Sequence, residues 1–456
     1  MARSSALIPI ERSNLANPSP SGLRLYGAVG TLVGAVIALQ IAVMRVFALG
    51  SWSHFGSLVV SLAMLGFGMA SVFIFLMKGW LDRHGEGSAS VALGLFGPLA
   101  LGANLVAQLV PFNAIFLISD PMQKWRLLAN FLLYLLPFLS SAFFRGTVFR
   151  QGKEHFNRLY FADLMGSGLA GLAILGVLYV LPPEKLLVAP LVLWAVALLL
   201  WIGVAQLGKV AVALVGAGLV LAAHLMLPEA LGVPDIAVSS YKGVSYARNF
   251  PDAKRLYRAI SPFGDFQVYS RFYTHFAPGL SDNAAFNVPE LPANTYVGMF
   301  NDGEGPSGIM RTLPPEGAAY YQYLPISLYR QTACQGLRRA VRWRAFRNDR
   351  FERQGLVSDN RRSQPRGAAR LSGAPTGGGD GHILAEPRVK VVGYDGRLFL
   401  AHTDQRYDVI DLSLADSVGL SNPGGFAISE KYAYTQQALE SDIHGLAEGG
   451  VLSVTV

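Results

Sequence analysis

The chain has 456 residues and a formal net charge of +8; 52% of its residues are hydrophobic and 15% are charged. An ordinary soluble domain carries about 25% charged residues, so this balance excludes a wholly soluble protein. The single cysteine, Cys334, excludes an intramolecular disulfide and a thiolate metal cluster.

A charge of +8 can mark a nucleic-acid or acidic-membrane partner, but only if it is spread over a surface. Here it is concentrated. Residues 331–370 hold eleven basic and three acidic side chains, a surplus equal to the whole net charge. The remainder of the chain sums to zero.

Residues 1–21 form a polar tail with Pro9, Pro18 and Pro20. The tail lacks an apolar core followed by a cleavage site, so it does not read as a cleaved signal peptide. Residues 22–228 hold 18 charges in 207 positions. They divide into apolar runs of the length that crosses a bilayer, about 20 residues. The expected spans are Tyr26–Leu49, Gly56–Met77, Val91–Val110, Leu127–Phe144, Tyr160–Leu181, Leu186–Val204 and Val210–Leu227. Only Ala205–Lys209 separates the last two, so six spans stand beside seven.

Basic residues in the loops orient such a chain. The side of the N-terminus collects Arg24, Lys78, Arg83, Arg145, Arg150, Lys153, Arg158 and Lys209, besides Arg3 and Arg12. The other side has Lys124, Arg126 and Lys185. The reading is a multi-pass protein of the cell (inner) membrane with a cytoplasmic N-terminus. Span parity leaves the side of the C-terminal part open. Asp163 is the notable charge within a span, and a charge there is costly. Its role is either an interfacial carboxylate or an ion, proton or inter-helix contact, with Arg45 and Arg145 as candidate partners. The run Gly166–Gly171 matches G-x-G-x-x-G, but inside a span it reads as a close helix-packing surface.

After Pro228 the composition turns soluble. Residues 229–330 alternate turn clusters with short runs, Phe266–Tyr269, Thr295–Phe300 and Tyr320–Leu328, and read as β-rich. Residues 384–456 alternate between strand and helix patterns: Arg388–Val392, the buried strand Asp408–Leu412, the amphipathic helix Glu430–Leu446, and Gly450–Val456. That alternation implies a doubly wound α/β domain, Rossmann-like and incomplete, since the chain stops just after a strand.

Residues 331–383 are anomalous. Composition alone supports a disordered basic linker; an arginine arm for nucleic acid or lipid is a second reading. A third is a displaced reading frame. Arginine without lysine is what GC-rich coding DNA yields out of frame. Back-translating Gln331–Ala345 with permitted codons, one nucleotide later, allows R-P-R-V-K-V-F-V-V-Q-F-G-G-G, a strand running into a glycine loop. Gly377–Gly381 itself lacks the preceding strand and following helix that a nucleotide-binding loop needs. None of the eight histidines has metal-ligand spacing.

The most informative stretch is Tyr407–Gly419, an apolar strand ending in acidic and small residues. In open α/β sheets the ligand lies beyond the carboxyl ends of the strands. The stretch resembles the strand-four motif of the spermidine synthase (polyamine aminopropyltransferase) family, in its membrane-fused form. That motif runs Tyr-Asp-Val-Ile-x-x-Asp-x-x-Asp-Pro-x-Gly. It is matched at Tyr407, Asp408, Val409, Ile410, Asp416 and Gly419. Asp395-Gly396 is similar to the family's adenine-contacting Asp-Gly. Phe300–Gly303 and Tyr320–Pro325 resemble two β-domain segments, Gly264 also fits, and Tyr160–Gly168 resembles a signature of the membrane-fused members.

The resemblance implies an S-adenosylmethionine-dependent transferase fold and aminopropyl transfer, with decarboxylated S-adenosylmethionine or S-adenosylmethionine as a substrate rather than a resident cofactor. A polyamine or other amine is the implied acceptor. It implies a catalytic role for Asp416, donor binding by Asp395, Gly396 and Asp408, and substrate contacts at Asp302, Tyr321 and Gln322. Three departures count against activity. The family's first strand-four aspartate falls on Ser413, its His-Glu pair is replaced around Tyr321-Gln322, and its glycine loop would lie in 331–383. The alternative is a non-catalytic transporter-like or scaffold membrane protein with a degenerate α/β domain. The bilayer is the expected partner and nucleic acid is not; homo-oligomerisation is left open.

Overall fold

The structure is a computed structural model. It describes residues 22–52, 54–203, 206–232, 234–262, 264–270, 296–310, 339–344, 354–359, 389–392, 396–413 and 435–455.

Seven described helices are long and apolar enough to cross a membrane. They are α1 (Gly22–Gly50), α2 (His54–Leu76), α3 (Lys78–Leu109), α4 (Pro121–Gln151), α5 (Phe156–Val177), α6 (Val188–Ile202) and α7 (Leu207–Ala230). Each overlaps one expected span. The doubtful boundary between the last two is real, because Gly203 takes φ 75° at the end of α6. Helix α3 begins thirteen residues before the expected Val91, at Lys78. Hydropathy sees only its apolar part. Its polar first turns carry Asp82, which pairs with Arg150, and a non-helical His84 stacked on Trp80.

The bundle is organised around α1. Its most apolar window is 61% buried, against 6% for α7. Helices α5 and α6 pack along it, while α3 and α4 pair with each other. The core is filled by Leu32, Leu39, Leu93, Phe96, Phe138 and Phe144, all fully buried. Trp194 of α6 donates from Nε1 to the Leu93 carbonyl at 2.7 Å. The Gly166–Gly171 run is a packing surface in part only. A Cβ at Gly166 would collide with the Gly30 carbonyl oxygen, whereas one at Gly168 or Gly171 would meet nothing within 4 Å.

After α7 the short helix α8 (Gly243–Arg248) precedes an antiparallel sheet of β1 (Lys254–Ser261), β2 (Gly264–Ser270), β3 (Tyr296–Asn301) and β4 (Glu304–Met310), in that order. The expected runs Phe266–Tyr269 and Thr295–Phe300 fall on β2 and β3; Tyr320–Leu328 lies outside the described residues.

A second sheet has the order β7-β6-β5-β8-β9. Its strands are β5 (Arg339–Arg344), β6 (Gln354–Asp359), β7 (Val389–Val392), β8 (Tyr407–Ser413) and β9 (Leu446–Thr455). Strands β5, β8 and β9 are parallel, and β6 runs against both β5 and β7. The sheet is therefore mixed rather than all-parallel. Only residues 345–353 join β5 to β6, too few for the dozen or more that a parallel crossover needs. Two stretches of the arginine-rich segment are thus paired strands. Helices α9 (Gly396–His402) and α10 (Gln436–His444) cover the sheet. Leu400 and Leu439 pack on Tyr407, Ile410 and Leu412. The observed α10 is the later part of the expected Glu430–Leu446 helix; residues 430–434 are outside the described set.

Two predictions follow from this packing. Gly166→Leu is expected to lower bundle stability by about 1–3 kcal/mol through overpacking against α1, while Gly168→Leu leaves it unchanged; thermal unfolding in detergent compares them. The second concerns Asp442 on α10. It is fully buried, and neither carboxylate oxygen has a hydrogen-bond partner among the described residues. Burial pushes its carboxyl up to about 7. The folded state then binds a proton that the unfolded state releases near pH 4, so stability falls as pH rises from about 4 through 7. Asp442→Asn is expected to flatten that dependence in pH-resolved hydrogen exchange of α10 and β9.

Candidate functional site: a buried charge lattice between bundle and sheet

The richest constellation of charge lies where α1 ends and the β3–β4 hairpin begins. Asn301 pairs with Glu304 across the two-residue turn Asp302-Gly303. Both turn residues have positive φ, 50° and 78°. Such turns favour Asp-Gly because their twist matches that of the flanking strands. Gly303 also lets the turn approach its neighbours closely. A Cβ there would meet Lys242 Cδ at 3.0 Å and Val244 Cγ1 at 3.1 Å.

The turn aims Asp302 at the bundle. Arg45, in the last turns of α1, donates through both Nη atoms to the two Asp302 oxygens at 3.0 and 2.9 Å. The Asp265 backbone N–H donates to Asp302 Oδ1 at 2.8 Å. Both carboxylate oxygens are therefore engaged within the protein. A forked, two-point arginine contact is the strong form of this pair.

Lys242 stands beside it with a fully buried side chain. Its ammonium donates to the carbonyls of Ala48 on α1 and Asp302. It also lies 3.3 Å from Glu304 Oε1. Burial pushes this lysine below its ordinary range, and the carboxylates of Glu304 and Asp302 oppose that shift. A depressed lysine means that the folded state binds fewer protons than the unfolded chain. Its burial cost is thus present at neutral pH and is relieved as pH rises.

A second branch reaches the α5–α6 connection. Arg258 of β1 donates to both oxygens of Asp265 at 2.9 Å, and to Glu184 at 2.7 and 3.0 Å. Burial alone would lower its affinity for the proton, but hydrogen bonding and charge from Asp265 and Glu184 outweigh it, and the shift is upward. Gln267 donates to Asp265 at 2.7 Å and accepts from Tyr269 and Arg248. The linker adds backbone contacts: Ser239 N–H to the Gly50 carbonyl, and Ala237 N–H to Gln108 Oε1.

Asp163 lies elsewhere, inside the bundle. Its partner is Arg145 of α4, at 2.8 Å, and the Arg145 guanidinium sits 4.8 Å over the Phe67 ring of α2. Of the two candidate arginines, Arg145 takes the intramembrane aspartate and Arg45 takes the sheet.

The other predicted site residues are scattered or outside view. Gly396 opens α9, and Asp408 lies on β8. Asp395, Asp416, Tyr321 and Gln322 lie outside the described residues. Sequence reading missed Lys242, Glu304, Asp265, Arg258 and Glu184. Only the resemblance at Phe300–Gly303 pointed to this place. No family model matches the chain, and no curated protein and no solved structure matches it.

Arg45→Ala leaves Asp302 buried without its cation, a loss of the kind that costs about 3–5 kcal/mol. Hydrogen exchange of β1 and β2 is expected to accelerate strongly, while α3 and α4 keep their protection.

Proposed function

We propose that this integral membrane protein carries a transferase-type module on the face opposite its N-terminus, related to aminopropyl transfer from an S-adenosyl donor. The observation that carries this reading is the order of the second sheet. Numbered by their occurrence in the chain, the strands lie 3-2-1-4-5. A doubly wound sheet has this order, although here β6 runs antiparallel to both its neighbours; in such sheets the ligand sits where the order reverses, beyond the carboxyl ends of strands 1 and 4. Here those strands are β5 and β8. Strand β8 carries the Tyr407–Gly419 resemblance, and β5 falls inside the stretch whose displaced frame reads as strand and glycine loop.

In the proposed chemistry an acceptor amine attacks the carbon next to the donor's sulfonium sulfur. The carbon–nitrogen bond forms as the carbon–sulfur bond breaks, and the sulfur leaves as a neutral thioether. A carboxylate beyond β8, assigned to Asp416, takes the amine proton. Asp395, Gly396 and Asp408 are assigned to the donor.

The second reading is a non-catalytic scaffold with a degenerate α/β unit. It is favoured by Ser413 at the end of β8 and by Asp302, whose oxygens are occupied by Arg45 and the Asp265 N–H. The loop charges add weight to it. They put the N-terminus in the cytoplasm, and seven crossings then put the module outside, away from cytoplasmic S-adenosyl compounds.

Two measurements on the full chain separate the readings. The transferase reading expects heat in calorimetry with decarboxylated S-adenosylmethionine, S-adenosylmethionine or methylthioadenosine, lost in Asp408→Asn, and a C-terminal tag accessible from the cytoplasm. No heat with any of the three and an external tag establish the scaffold. The coding DNA across codons 325–390, read in three frames, decides whether the glycine loop exists.

A further inference from the structure

A cavity of about 30 Å³ lies at the sheet-side end of the bundle, where α1, α3 and α4 meet beneath the linker that leaves α7. Its lining combines Ser51, Gln108, Asn130 and Tyr134 with the rings of Phe47 and Phe112. We propose that this cavity is an internal hydration site for two water molecules, which join the helix ends to the linker.

Size sets the first limit. One water needs about 10–15 Å³ of space measured with a water-sized probe. The cavity therefore takes two waters and excludes a ligand of more than a few heavy atoms.

Polarity sets the second. Apolar cavities stay dry, and polar ones with several partners are wet. Ser51 is 4% exposed, and its Oγ has no hydrogen-bond partner among the described residues. Asn130 spends its two amide protons on the carbonyls of Val110 and Arg126, at 2.8 and 2.9 Å, leaving Oδ1 as the atom it offers. Tyr134 donates to Asn104 Oδ1 at 3.1 Å and is hydrogen-bonded to Gln108 as well. A molecule that both donates and accepts fits this mixture.

Charge sets the third. No carboxylate, ammonium or guanidinium is in the lining. An ion there would be desolvated without a counter-charge, so the guest is neutral.

The linker borders the cavity through Ala237, whose N–H donates to Gln108 Oε1 at 2.7 Å. The waters then complete a polar junction between α1, α3, α4 and the segment that carries α8 and the first sheet.

Radiolytic hydroxyl-radical footprinting of the full chain in nanodiscs tests this, because radicals form from water held next to a side chain. Tyr134 and Phe47 are 1% and 4% exposed, and Phe96 and Phe138 are fully buried references in the same bundle. After correction for intrinsic reactivity, Tyr134 and Phe47 are expected to label about five- to tenfold faster than the references if each lies beside an ordered water. Ser51→Val, which fills the cavity, and the milder Ser51→Ala are expected to reduce that labelling toward the reference rate. Labelling of wild-type Tyr134 and Phe47 at the rate of Phe96 and Phe138 overturns the proposal, whatever the variants do. Fast labelling unchanged in Ser51→Val overturns it too, since it signifies bulk-water access.

Discussion

The burial of charge at the end of α1 is the constraint around which the extramembrane part is arranged. Arg45, Lys242, Asp302 and Glu304 leave water together, and each would be costly there alone. They are tolerated because the geometry satisfies them jointly. Arg45 grips both oxygens of Asp302, a backbone N–H adds to one of them, and Lys242 spans two carbonyls and Glu304. Such a cluster adds little net stability, since desolvation offsets much of the attraction. What it adds is register. A one-residue slip of the β3–β4 hairpin would strand Arg45 and Lys242 without partners, so the sheet has a single seat on the bundle.

That seat needs a fixed α1, and the bundle supplies it. Small residues bring α5 against α1 at Gly30 and Gly166, while α6 contributes Trp194, which donates to the Leu93 carbonyl of α3. The intramembrane pair Arg145–Asp163 ties α4 to α5 in the same body. The Glu184–Arg258–Asp265 branch then repeats the principle at the α5–α6 connection. Two ionic contacts, one from α1 and one from the α5–α6 connection, hold one sheet, which opposes rotation about either alone.

The second sheet shows a different balance. Its interior strand β8 is apolar, with Tyr407, Ile410 and Leu412 buried, and its neighbours on both sides run parallel to it. Its periphery is less orthodox, since β6 returns as a hairpin from the arginine-rich segment. Three of that segment's arginines, Arg339, Arg342 and Arg344, lie on β5, beside the strand with the most informative motif.

Much of the architecture was legible in the sequence. Seven apolar runs specify seven helices because a bilayer leaves backbone polar groups no partner outside the helix. The strand at Asp408–Leu412 was legible for a similar reason, since apolar runs are local. The pairings were not. Nothing local in Ser239–Lys242 distinguishes a solvated lysine from one buried between α1 and a hairpin 60 residues later. Arg45 and Arg145 are equivalent on paper as partners for Asp163, and only helix packing sends one to Asp302. The same holds for the opening arithmetic. Composition by itself determined that the chain enters a membrane and that its net charge resides in one short segment. Only the tertiary structure decided which charges are buried together, because burial depends on contacts between residues far apart in the chain.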